Sequence, residues 1–173
     1  MIKNKETGIS VVELLVAIAL IGFIAAVTLG YSMRTKDRWN IKNNAREITT
    51  SYYKIKQNAV TENRPIWATF DSNGYEYLSW DEGDSKWVPL TKAGFFKGEN
   101  KANVTLENDV EFVISSLGMI LEAPGNDTTD PSTLAVASAK VIRLKSQGYS
   151  GVDVVDITIY PYGGIKIEND FKN

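Results

Sequence analysis

The sequence predicts an α+β protein in which one long N-terminal helix packs on an antiparallel, β-rich C-terminal domain. Three patterns in its 173 residues predict this fold. An apolar run extends from Ile9 to Tyr31, and a single apolar helical face follows from Ile41 to Ala59. From Pro65 onward the apolar period shortens to that of strands separated by turn residues. We therefore divide the chain into a leader (1–8), a membrane helix (9–31), an amphipathic helix (32–64) and a β-rich head (65–173).

The apolar run is long enough to cross a bilayer even though it contains one acid, Glu13. Its Leu, Ile, Val and Phe residues together contribute about −4 to −8 kcal/mol at a membrane centre, whereas a central acid costs roughly 2.5 to 3.5 kcal/mol. As a helix the run would be about 35 Å long, against a hydrocarbon core of about 30 Å. A signal peptide has a shorter apolar core, and a plain signal anchor gives no reason for the acid. An acid kept in such a segment indicates a function and a partner.

The helix is predicted to continue beyond the membrane, from about Ile9 to Glu62. Its apolar face recurs at intervals of three and four residues and consists of Ile41, Ala45, Ile48, Tyr52, Ile55 and Ala59. We interpret this face as part of the domain core and not as a coiled coil, because strict heptads last for less than three repeats. The helix should end near Asn63, since the residue before Pro65 is pushed away from α geometry.

The head is predicted to be built from short strands. The predicted strands are Ile66–Phe70, Tyr75–Trp80, Lys86–Leu90, Val104–Leu106, Val110–Ile114, Met119–Leu121, Leu134–Leu144, Val154–Tyr160 and Ile165–Glu168. Turn residues separate several of them, as in Asp71–Gly74, a hairpin signal, and Pro161–Gly164. A polar loop is expected over Glu122–Ser132.

The composition argues against an enzyme. The chain has no cysteine, which excludes thiol catalysis, and no histidine, the most versatile general base and metal ligand. It also lacks a phosphate-binding loop and a serine nucleophile elbow. We therefore expect a non-enzymatic protein without a cofactor.

Two groups of residues in the head have a simpler explanation than ligand binding. Asp127 and Asp130 could offer oxygen ligands to calcium, but their spacing is not that of an EF-hand, and a solvated loop explains them better. Trp67, Trp80 and Trp87 could form a platform for sugar, but aromatic residues on neighbouring strands are usually core residues or cross-strand pairs. We assign no metal site and no sugar site from the sequence.

The segment Gly8–Leu15, which reads GISVVELL, resembles the processing site of type IV prepilins and type II secretion pseudopilins. The resemblance implies that a membrane peptidase cuts after Gly8, that the new N-terminal Ile9 is methylated, and that the apolar helix stays in the membrane until the subunit enters a filament. Ile9 replaces the usual Phe or Met, and Gly30 stands where major pilins usually have proline.

The resemblance supplies Glu13 with a partner. Cleavage would expose a positively charged amine on Ile9 at the edge of the apolar run. Because a buried charge of either sign is costly unless it is paired, Glu13 of one subunit is expected to meet the Ile9 amine of a neighbour. A wrong axial register would leave both charges unpaired, so the pair would set the register of assembly.

The head resembles the GspH/FimT-like group of this superfamily. The resemblance is carried by Asn44-Ala45-Arg46, Glu62–Ile66, Val110–Phe112 with Gly118, Ile157–Ile159 and Gly163–Ile165. It implies a minor pilin or pseudopilin of a type IV pilus or a type II secretion pseudopilus. Its partners would be a prepilin peptidase, other pilin or pseudopilin subunits, an inner-membrane assembly platform and, in some systems, a secreted cargo. It also implies a single pass through the cytoplasmic (inner) membrane with the C-terminal domain outside the cytoplasm, although the flanking charges slightly favour the opposite orientation.

Two alternatives stay open: a DNA-uptake (competence) minor pilin, and a membrane-anchored binding module unrelated to filaments. Charge argues against the first. Residues 32–64 hold eight Lys/Arg and three Asp/Glu, a net charge of +5, whereas residues 65–173 hold nine and sixteen, a net charge of −7. Because duplex binding depends largely on basic residues that neutralise phosphates, an acidic head disfavours nucleic acid as a partner.

Overall fold

The computed structural model of the chain describes residues 10–90, 97–100, 104–148 and 151–171. Helix α1 (Val11–Thr61) comes first and is followed by strands and one short 3₁₀ turn, Pro131–Thr133. The strands are β1 (Ile66–Asp71), β2 (Gly74–Asp81), β3 (Lys86–Pro89), β4 (Lys97–Glu99), β5 (Val104–Leu106), β6 (Val110–Ile114), β7 (Ile120–Leu121), β8 (Lys140–Gly148), β9 (Gly151–Ile159) and β10 (Ile165–Asp170). The predicted α+β class is confirmed, with one continuous helix over nearly the whole range expected.

Helix α1 ends where the sequence indicates. Asn63 adopts a left-handed conformation with φ of 50° just after the C-cap, Glu62. The Asn63 N–H donates to the Val60 carbonyl at 3.3 Å, and the Arg64 N–H donates to the Ala59 carbonyl at 3.0 Å. This pair of bonds is a Schellman motif, which satisfies carbonyls that the helix itself leaves free.

The strands form two antiparallel sheets. In the first sheet the order is β3-β2-β1-β6-β7. Strand β4 pairs with the first residues of β2, from Gly74 to Glu76, and β3 pairs with its last residues, from Leu78 to Asp81. In the second sheet the order is β10-β9-β8-β5. Every pairing in both sheets is antiparallel.

One hydrophobic core joins helix and sheets. The predicted apolar face of α1 is buried along its length, from Ile41 to Ala59. It meets buried side chains of the second sheet, such as Ile142 and Ile157, and of the first sheet, such as Phe112. The expectation that this face belongs to the domain core is therefore confirmed, and only the half of α1 that follows the apolar run takes part in it.

Some strand limits were predicted wrongly. The strand expected over Leu134–Leu144 begins only at Lys140 and extends to Gly148. Before it, Val136 makes a single bridge to Leu121, and Leu134 packs on the cluster that contains Trp80 and Trp87. The apolar alternation of this segment is therefore due to packing on the first sheet and not to a strand. Strand β4 was missed because its three residues, Lys-Gly-Glu, have no strand pattern.

A turn joins the second sheet to helix α1. The Tyr52 hydroxyl donates to the Gly163 carbonyl at 3.1 Å, and Lys56 Nζ donates to the same carbonyl at 2.8 Å. Burial raises the pKa of the Tyr52 hydroxyl, so it stays protonated as a donor. Gly163 has a φ of 75°, and a Cβ there would overlap the Gly118 carbonyl oxygen in the turn between β6 and β7. Glycine is therefore required where the two sheets meet the helix.

We expect Ile48→Asp to destabilise the head by about 3 to 5 kcal/mol, because it places an unpaired charge in a fully buried position and removes core packing. Thermal unfolding of the full chain in detergent should show the midpoint lowered by roughly 10 °C or more. Thr50→Asp, an exposed position on the same helix, is the control and should leave the midpoint nearly unchanged. Equal midpoints for the two variants would show that the buried face is assigned wrongly.

We expect Gly163→Ala to cost about 2 kcal/mol or more, since alanine is strained at positive φ and its methyl group would overlap the Gly118 carbonyl. Urea unfolding of the full chain measures this change. Gly125→Ala is the matched control, because a Cβ at Gly125 meets nothing within 4 Å. A loss of stability no greater than that of the control would contradict the contact between the two turns.

Candidate functional site

The N-terminus of α1 is closed by a reciprocal pair of hydrogen bonds. The Ser10 Oγ accepts from the Val12 N–H at 3.3 Å, and Glu13 Oε2 accepts from the Ser10 N–H at 3.0 Å. Ser10 is the N-cap, and Glu13 lies three residues later in the first turn. This arrangement is a capping box, which satisfies backbone N–H groups that the helix cannot pair internally.

The capping box gives Glu13 a role within its own chain. Free N–H groups at a helix N-terminus are costly in lipid, and a carboxylate there also interacts favourably with the helix dipole. Sequence reasoning missed Ser10, although the spacing Ser-x-x-Glu before an apolar run is a recognised helix-start pattern. Only one carboxylate oxygen of Glu13 is used in this bond, so the other can still meet a cation.

Within the described residues, nothing packs on the apolar segment of α1 from Val11 to Leu29. Its 19 residues have a mean hydropathy of 2.6, and none of them is buried. As a helix the segment is about 28 Å long, which matches a hydrocarbon core of about 30 Å. Its one hydroxyl near the far end, on Thr28, donates to the Ile24 carbonyl at 2.8 Å, so it is satisfied without water. The helix has the length and the composition of a membrane span.

Of the residues predicted for processing and assembly, the structure describes Glu13 but not Gly8 or Ile9. Glu13 lies at the first turn of α1, beside the start of the apolar segment. The predicted processing residues, Gly8 and Ile9, and the rest of the leader lie outside the described residues.

The polar loop of the head, Glu122–Ser132, is hydrogen-bonded to β3, the edge strand of the first sheet. The Trp87 N–H donates to the Asp127 carbonyl at 2.8 Å, and Trp87 Nε1 donates to the Thr129 carbonyl at 3.1 Å. Asp130 accepts from the Ser132 N–H at 2.8 Å and caps the 3₁₀ turn, and this bond lowers the pKa of its carboxyl below the ordinary value. Within the described residues, no three acidic side chains are arranged to hold a metal ion.

The tryptophans beneath this loop form an internal cluster. Trp80 and Trp87 face each other across β2 and β3, with their rings edge-to-face at 5.4 Å. Their side chains are only 8% and 4% exposed, and Trp67 packs against Trp87 at 5.9 Å. The cross-strand interpretation is confirmed for Trp80 and Trp87, and these two buried rings are not available as a sugar platform.

The basic side chains of the head that the structure describes are ion-paired with nearby acids. Arg143 makes two bonds to Asp156, at 2.7 and 2.8 Å, and this contact raises the pKa of the guanidinium further above its ordinary value. Four further lysines whose side chains are described are also ion-paired, namely Lys86, Lys140, Lys145 and Lys166. Because phosphate binding needs cations that are free to replace counterions, this pairing disfavours nucleic-acid binding by the described part of the head.

Comparison with known proteins identifies the fold. No protein-family model matches the sequence, and no curated protein matches it. The structure is similar to that of the minor pseudopilin EpsH from the type 2 secretion system of Vibrio cholerae, with a TM-score of 0.52 and 10% sequence identity. The similarity covers 75% of this chain and 97% of that chain. At this identity it concerns the fold, and the fold predicted from the sequence resemblance, that of pilins and pseudopilins, is confirmed.

Proposed function

We propose that the chain is a minor pilin or pseudopilin, a structural and non-enzymatic subunit of a type IV pilus or a type II secretion pseudopilus. One observation carries this proposal: a fully exposed, apolar helix continues without interruption into the core of a pilin-like head. The exposed half has to be buried outside its own chain, in lipid or among the helices of other subunits. The head is then carried on a rigid rod.

Maturation of the chain is proposed to follow the prepilin route. A prepilin peptidase cuts after Gly8, and the amine of Ile9 is methylated. The leader stays in the cytoplasm, the helix crosses the inner membrane once, and the head lies outside the cytoplasm. An assembly platform in the membrane then moves the subunit into the filament, where the head meets other subunits or a secreted cargo.

Glu13 is proposed to act twice, first in the capping box and then in assembly. The capping box holds its carboxylate at the very start of the helix, close in sequence to the Ile9 amine. An acid in this position in one subunit can pair with the Ile9 amine of a neighbour without leaving its own cap. The ion pair would select one axial register, since any other register leaves two charges without partners in an apolar bundle.

We expect Gly8→Val to block maturation, because a side chain at the cut position would obstruct the peptidase. The measurement is the mass of the chain recovered from membranes. The leader substitution Asn4→Ala is the control and should leave processing normal. A normal amount of processed Gly8→Val chain would count against this cleavage site.

Glu13→Gln separates the two roles of the acid. Glutamine at this position keeps a capping box but carries no charge. We expect Glu13→Gln and Glu13→Ala to insert into the membrane normally and to reduce incorporation into sheared filaments by at least tenfold. The measurement compares the membrane and filament fractions by immunoblot.

Ser10→Ala is the reciprocal control, because it removes the cap acceptor and keeps the charge. It should weaken the first helical turn by about 1 kcal/mol and leave assembly largely intact. If Glu13→Gln assembles normally while Ser10→Ala fails, the acid acts through the cap alone, and the ion pair between subunits is rejected.

A further inference from the structure

A groove lined by both polar and apolar residues lies at the end of the head where helix α1 stops. Its volume is about 760 Å³, and Asn63 and Pro65, which follow the C-terminal end of α1, form part of its wall. Its apolar lining consists of Trp80, Leu117, Met119, Leu121, Leu134 and Val136. Leu117 and Val136 are 78% and 56% exposed, so a contiguous part of this apolar lining is open to solvent. The groove therefore faces away from the membrane span and is open to a partner.

The charge of the groove is negative. Glu82 and Asp130 line it, and among the described residues no Lys or Arg lines it. Both acids are exposed, so they can approach a cation of a partner. A fitting partner presents an apolar or aromatic side chain between basic residues.

The same chain carries such a surface at the other end of the head. Trp39 is 63% exposed, and Lys36, Asn43 and Arg46 lie three, four and seven residues away on the same face of α1. We call these four residues the basic stripe. This face is opposite to Ile41 and Ala45, which are buried in the core. The stripe therefore points outward with its aromatic ring between two cations.

Trp39 lies beyond the membrane interface. It follows Leu29, the last residue of the span, by ten residues, which corresponds to a rise of about 15 Å along the helix. The interfacial layer outside the hydrocarbon core is only about 5 to 8 Å thick on each side. Contact with lipid headgroups therefore does not account for the exposed ring, whereas exposed tryptophans are frequent anchors of protein interfaces.

We infer that the groove of one copy of this chain receives Trp39 and the flanking cations of a second copy, in a head-to-tail contact. This inference rests on the proposed function, because it requires two copies displaced along a filament axis. Glu82 and Asp130 would face Lys36 and Arg46 of the second copy, and the indole would enter the apolar part of the groove. Since the two surfaces differ, the contact is heterologous and can repeat along a filament.

The geometry sets the displacement between the two copies. Trp39 lies 22 positions before Thr61, the last residue of α1, which corresponds to about 33 Å of rise. Copies side by side in one flat membrane lie at equal height, so their grooves and basic stripes cannot meet. The contact forms only when one copy has moved outward relative to the other, and it would hold the copies in that position.

Cysteine cross-linking tests this contact, because the natural chain has no cysteine. Two full-length chains with different tags, one with Asn43→Cys and the other with Ser132→Cys, are produced together in cells that assemble the filament. Mild oxidation should give a product that contains both tags. Thr50→Cys, about two turns further along the same helix face, replaces Asn43→Cys in the control and should give at least tenfold less product.

Two further variants test the chemistry of the contact. Trp39→Ala in the Asn43→Cys chain should reduce the product at least tenfold, whereas Tyr53→Ala, which removes another exposed aromatic ring of α1, should not. Glu82→Lys in the Ser132→Cys chain should also reduce the product, and Lys36→Glu in the other chain should restore it. If the first charge reversal acted only by unfolding the chain, the second reversal would not restore the cross-linked product.

The filament fraction separates this inference from the proposed function. If the chain is present in sheared filaments but gives no product above the Thr50→Cys control, the head-to-tail contact is overturned and the filament role stands. A product in which Ser132→Cys is joined only to a different protein overturns the assignment of a second copy. If the chain is absent from the filaments and gives no product, both proposals are overturned.

Discussion

The structure depends on which apolar surfaces of α1 have to be buried, and these differ along its length. From Val11 to Leu29 the helix is apolar on all sides, and no described part of the chain covers it. From Ile41 to Ala59 only one face is apolar, and the head covers that face completely. The two halves therefore need different surroundings. Because they form one continuous helix, the position of the first half in lipid or in a bundle of helices also determines the position of the second half. The head is thus joined to the span by one uninterrupted helix.

The start of the helix has a related constraint. Backbone N–H groups at a helix end are tolerable in water but costly in an apolar environment. Ser10 and Glu13 satisfy some of these groups, and the bond to Ser10 uses only one of the two oxygens of Glu13. The acid in the apolar segment thus has two explanations: it caps its own helix, and it is proposed to pair with the Ile9 amine of a neighbouring subunit. At the other end of the helix, the left-handed Asn63 and the following Pro65 give an equally definite stop.

Local pattern predicted most of the fold, and long-range contacts account for the errors. The buried face of α1 and the hairpin of β1 and β2 follow from side-chain periodicity and turn residues, which are properties of neighbouring positions. Leu134 and Val136 alternate as in a strand but serve as a cover over the aromatic cluster, which no local pattern reveals. The groove and the pairing of the basic residues also needed the structure, because their members come from distant parts of the chain. Ser10 could have been found, since its spacing to Glu13 is visible in the sequence.

The central claim is that the exposed apolar half of α1 becomes buried in a filament after the leader is removed. The most direct measurement is the intact mass of the chain from filaments sheared off the cells in which it occurs naturally. The chain in filaments is expected to begin at Ile9, to carry a methyl group on its amine, and to be enriched relative to unprocessed chain in membranes. A filament-borne chain that still holds Met1 to Gly8 would contradict it.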